Sequence, residues 1–132
     1  MRLEKVDSVF RVSRPFGEFF DWWMRFLRPI HKMSPQEMKV AAAFLKRRHV
    51  LHCAGHKDAD SEAVSQSSRR AVGQELGFGT RHFYVLCSTL RKAGFIKDGR
   101  INPRFIPEYD GSGKFAAVIY FTFPDGTEAS KA

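Results

Sequence analysis

The chain has 132 residues, 43% hydrophobic and 14% aromatic, with 22 Lys/Arg against 14 Asp/Glu for a formal charge of +8. That length supports one core without metal or disulfide staples, and thirteen Phe argue against wholesale disorder. The longest apolar runs, Val40 to Leu45 and Phe115 to Phe121, fall far short of the ~20 residues of a bilayer span. No membrane partner is expected. The opening MRLEKVDSVF lacks an apolar signal-peptide core, so a soluble, cytoplasmic protein is expected, with both Cys as free thiols.

Residues 1–14 read as an extended lead-in, with a short strand through Val9, Phe10 and Val12. Pro15 and Pro29 bracket a helix near 16–28, whose Phe16, Phe19, Phe20, Trp23, Phe26 and Leu27 fall at helical spacing. Trp22 lies off that stripe and is the candidate contact for self-association or a protein partner. Ser34-Pro35-Gln36-Glu37 has the spacing of a capping box and opens a helix over 35–48, with Met38, Ala41, Ala42, Leu45 and Val50 as its apolar stripe. Ala54 to Ser68 is polar and reads as a connection or irregular helix. Ser67 or Ser68 then caps a helix through Leu76, Gly77-Phe78-Gly79 interrupts it, and a further helix covers 80–93 with Thr80 as its cap. In that last helix Phe83, Leu86, Cys87 and Leu90 form one buried stripe, which makes Cys87 a core hydrophobe. After Gly94 the pattern changes to strands: one from Phe95, an extended segment from Arg100 to Ile106, a turn over 108–113, and a strand over 114–123. A frayed tail closes the chain at about 124–132.

Val72-Gly73-Gln74-Glu75-Leu76-Gly77-Phe78-Gly79 with Phe83, followed by Leu90-Arg91-Lys92-Ala93-Gly94-Phe95-Ile96, resembles a winged helix-turn-helix. The resemblance covers about residues 35–123 and implies a short helix, a tight Gly turn, a recognition helix and a β-hairpin wing. Gly77 would supply the positive backbone angle, Phe78 would plug the angle between the helices, and Gly73 would let them approach. Ile101-Asn102-Pro103 is similar to an Asn-Pro segment of some plasmid and phage replication initiators. Two departures stand out: Gly79 replaces the usual capping Ser or Thr, and the expected wing tip carries Glu108 and Asp110 with only Lys114 beside them. The expected architecture is α+β and a single domain, with an aromatic extension (1–33), a winged helix (34–123) and a tail (124–132).

The positive charge is concentrated. Residues 65–107 hold eight Lys/Arg against two Asp/Glu, the footprint of a polyanion site, and duplex DNA is the expected partner. On the resemblance, the recognition helix would present Thr80, Arg81, His82, Tyr84 and Ser88, with Arg81 as the guanine reader. Arg69, Arg70, Arg91, Lys92, Arg100 and Arg104 would contact phosphates. The rival expectation is a non-enzymatic structural or adaptor component, for instance of a phage particle, docking protein through Trp22, the acidic turn and Val85. His49, His52, Cys53 and His56 form the one metal-like cluster, but a single helix does not surround zinc and no C-x-x-C accompanies it, so no metal is expected. No phosphate loop, G-x-S-x-G elbow or H-E-x-x-H occurs, and no enzyme or cofactor is expected.

Overall fold

The structure, a computed structural model, describes residues 11–117. The first helix, α1 (Phe16–Phe26), follows Pro15 and has Glu18 in its first turn and Arg25 in its last, matching the helix dipole. It buries Phe20, Trp23 and Met24. The chain then breaks at Leu27 into a single turn, α2 (Arg28–His31), which ends on Lys32 in the left-handed region at φ 57°. His31 holds this corner: its Nε2 donates to the Met24 carbonyl at 2.7 Å and its Nδ1 accepts from Met33 N at 2.9 Å.

The capping box forms as the spacing predicts, with Glu37 N to Ser34 Oγ at 3.2 Å and Ser34 N to Glu37 Oε1 at 2.7 Å. The helix it opens, α3 (Pro35–Cys53), is the central element and buries Val40, Ala41, Phe44 and Leu45. It packs against α1, against the short α4 (Ala59–Glu62), and against α5 (Gln66–Leu76) and α6 (Thr80–Lys92). Gly77, at φ 72°, stops α5 in the left-handed conformation that only glycine adopts without strain. Gly73 faces the Phe83 ring so closely that a Cβ there would lie 3.3 Å from it, which explains the small residue at the α5–α6 crossing.

Two short antiparallel hairpins follow. In the first, β1 (Ile96–Lys97) pairs with β2 (Arg100–Ile101) around Asp98-Gly99, both residues at positive φ, the geometry of a two-residue I′ turn. Asn102 then caps a 3-10 turn over Pro103–Phe105 and also donates to the Gly94 carbonyl at 3.0 Å, tying the hairpin to the end of α6. In the second, β3 (Glu108–Tyr109) pairs with β4 (Phe115–Ala116). Phe115 stacks on Phe19 of α1 with ring centres 4.5 Å apart. Trp23 Nε1 donates to the Phe105 carbonyl at 2.8 Å, so α1 is anchored to both segments. One continuous core runs from Phe20 and Trp23 through Phe44 and Leu90 to Phe95 and Ile101.

The architecture is therefore α+β, with a helix-turn-helix-like core and an aromatic N-terminal helix. Several boundaries differ from expectation. The helix expected to end near 48 continues to Cys53. Ser65, not Ser67 or Ser68, caps α5, accepting from Ser68 N. Thr80 is the first residue of α6 and Gly79 its cap, without a side-chain bond. Phe16, Phe26 and Val50 are exposed, and Met24 takes a core place that the aromatic pattern obscures. Arg100 to Ile106 is no single extended segment, because Asn102 turns the chain into the 3-10 turn. Among the described residues the wing region forms two small antiparallel hairpins. Val9, Phe10, most of the strand expected over 114–123, and the tail lie outside the described residues.

Candidate nucleic-acid interface

The turn between α5 and α6 sets the two helices so that Phe83, Leu86, Cys87 and Leu90 face inward. With ~100° between successive residues, Arg81, Val85, Ser88 and Lys92 then lie along the line opposite the core. Arg81, Val85 and Lys92 are exposed and Ser88 is half-buried. Tyr84 and Arg91 flank this line on the side of α5, and His82 flanks it on the other.

Between α5 and α6 lies an open groove of about 480 Å³, bordered by Gln66, Arg69, Arg70, Gln74, Thr80 and Tyr84. Its floor includes Cys87. Burial pushes the Cys87 thiol up, against the smaller opposing pull of the Arg69 and Arg91 charges. Tyr84 is the most exposed large hydrophobic residue among those described, at 68%. His82 is tied differently: its Nε2 lies 3.2 Å from Gln36 Oε1, and its ring meets Phe78 edge-on at 5.2 Å. It links α6 to the start of α3.

Three cations are engaged within the fold. Arg47 donates to Ser68 Oγ at 2.7 Å, Arg48 pairs with Asp60 at 2.8 Å, and Arg100 pairs with Asp58 at 2.7 Å and reaches Asp60 at 3.9 Å. Arg69, Arg70, Arg81, Arg91 and Lys92 have no ion-pair partner among the described residues. Over residues 66–92 those five cations face a single acid, Glu75, and α6 itself carries none. Arg104 is exposed, with its guanidinium 5.3 Å from the Phe105 ring centre. Of the residues singled out from sequence, Arg69, Arg70, Thr80, Arg81, Tyr84, Ser88, Arg91 and Lys92 thus gather on the α5–α6 face. Arg100 and Arg104 lie apart, on the hairpin and the turn after it. Lys97, which opposes Arg100 across the first hairpin, is a further exposed cation that the sequence reading overlooks. Its signal is the Asp98-Gly99 pair, which marks a tight hairpin tip.

The acidic turn is occupied by its own bonds. Asp110 Oδ1 accepts from Ser112 N, Ser112 Oγ and Lys114 N, and these bonds hold its carboxyl below the usual carboxylate range. With Phe115 and Tyr109 against His49 and α1, this second hairpin belongs to the aromatic end of the molecule.

The histidine cluster does not assemble. His49 is buried among Phe20, Tyr109 and Phe115, its Nδ1 has no partner among the described residues, and its Nε2 lies 3.5 Å from Cys53 Sγ. No group of His, Cys, Asp and Glu among the described residues is placed to hold a metal. Likewise, no described helix is long and apolar enough to cross a membrane. Comparison with protein-family models, with curated proteins and with solved structures finds no match to this chain.

Proposed function

We propose that this protein is a non-enzymatic DNA-binding module that sets α6 against the major groove of duplex DNA. The observation that carries the reading is the charge balance of α5 and α6, five cations against the one acid Glu75. None of the five has an ion-pair partner among the described residues, whereas Arg47, Arg48 and Arg100, elsewhere in the fold, are engaged. Unpaired cations gathered on one helical pair suit a phosphate backbone, which gains affinity by releasing counterions. In this reading Arg81 contacts a base edge, while Arg69, Arg70, Arg91 and Lys92 position the helix on phosphates. Transcriptional or replication control of a bacterial or phage genome, inside the cell, is the setting such a module suits.

A titration of a duplex of about 30 base pairs against salt tests it. Four phosphate contacts correspond to a slope of log K against log salt of about −3.6. Absence of binding at about 50 mM salt, or a slope near zero, overturns the reading. A second reading, an adaptor that docks protein or a second copy in a phage particle, draws on the exposed Phe26 and Ile30 beside half-buried Trp22. It predicts sequence-blind DNA binding that disappears at physiological salt.

A further inference from the structure

The outward line of α6 has a shape as well as a charge. Its two ends, Arg81 and Lys92, are long and cationic, whereas its middle, Val85 and Ser88, is short. A helix about 10–12 Å across nearly fills a major groove about 12 Å wide, so short side chains at the centre are what let its backbone approach the base edges. Val85 is nevertheless 55% exposed, and a β-branched residue is a weak helix former, so neither packing nor propensity accounts for it. Its neighbours along the line are Arg81 and Ser88, with Thr89 one turn on. With the His82 imidazole at i−3 and the exposed Tyr84 beside it, Val85 is the one aliphatic side chain among polar and aromatic groups here. It is a good match for the one apolar group displayed in the major groove, the thymine 5-methyl, which sits beside hydrogen-bond acceptors.

We infer that Val85 reads a thymine methyl, one or two base pairs from the base contacted by Arg81. The inference rests on the DNA-binding reading above. The spacing follows from geometry: four helical residues rise ~6 Å, and base pairs are stacked ~3.4 Å apart.

The test takes a duplex selected by the full chain from a randomised pool and replaces each thymine in turn by deoxyuridine, which removes only the methyl. One position in the site is expected to lose about four-fold in affinity, the worth of one buried methyl. Val85→Ala, which is exposed and helix-favouring, is expected to bind the thymine and uracil duplexes alike at that position with an unchanged salt slope. Arg81→Ala is expected to relax the preference one or two base pairs away. If the selected duplex is bound specifically but no uracil costs affinity, or Val85→Ala still prefers thymine there, the thymine inference falls and the DNA-binding reading stands. If no sequence is enriched and no duplex is bound at about 50 mM salt, both fall.

Discussion

Ser68 joins three helices through one hydroxyl, and its removal offers a direct measure of how α5 is held. The side chain is fully buried, donates to the Glu62 carbonyl at 2.6 Å, and accepts from Arg47 Nε at 2.7 Å. In Ser68→Ala the carbonyl loses a neutral bond worth about 1 kcal/mol, and the guanidinium loses a charged one worth about 1.5–3 kcal/mol. Arg47 is only half-buried, so water recovers part of the second term. The expected loss is about 2–3 kcal/mol. For a small protein with a urea slope of about 1–3 kcal/mol per molar, the midpoint should fall by roughly 1–2 M at unchanged slope. Urea unfolding followed by tryptophan fluorescence reads this, because Trp23 shares the core. Ser67→Ala, one residue earlier and exposed, should stay within about 0.5 kcal/mol of the parent. Equal midpoints for the two variants would refute the account of α5 as hung on the Ser68 hydroxyl.

Gly77→Ala should cost about 1–2 kcal/mol through backbone strain alone, since a Cβ there meets nothing within 4 Å; denaturant unfolding with a native circular dichroism spectrum checks it. A thiol reagent at neutral pH should titrate exposed Cys53 quickly and buried Cys87 only on unfolding, and two equally fast thiols would contradict the packing of α6. Desolvation, with Arg48 and His52 nearby, holds the His49 imidazole below its ordinary pKa, so the unfolded chain takes up this proton first as pH falls. The stability it contributes is complete above about pH 6.5 and declines below it until the folded-state pKa is passed. His49→Phe should flatten that part of the pH–stability curve, and a curve identical to the parent's would contradict the assignment.

The helix starts and stops were legible because single residues determine them. Ser34 with Glu37, Gly77 and the Gly94 stop act through local bonds or a local φ, and each stands where the sequence puts it. The core of α6 was equally legible, since four apolar residues at helical spacing leave one solution. Ser68 was not. A serine before a helix resembles a cap, and only the approach of Arg47 from α3 and of the Glu62 carbonyl at the end of α4 turns it inward. The aromatic helix misled for a related reason. Phe16 and Phe26 match the core spacing, but the face available is narrower than the aromatic stripe, and Met24 fills it. Within the candidate site, the side chains of α6 could be placed from periodicity. The engagement of Arg100 could not, because its partners lie on a polar stretch that reads as a connection.

That engagement bears on how the molecule would meet a phosphate backbone. Arg100 is 47% exposed and Asp58 50%, so their pair contributes about 0–1 kcal/mol to stability. A phosphate could compete for Arg100, but any affinity gained would be offset by the pair given up and by the carboxylate left nearby. Arg91 and Lys92 carry no such debt. The first hairpin is therefore better suited to holding α4 and the end of α6 in place than to gripping DNA. Its Arg100 anchors one side to Asp58, and Asn102 anchors the other to the Gly94 carbonyl. Net positive charge along a chain thus overstates a binding face wherever carboxylates return to it in the fold. Among the described residues they return to Arg48 and Arg100 and pair with no cation of α6.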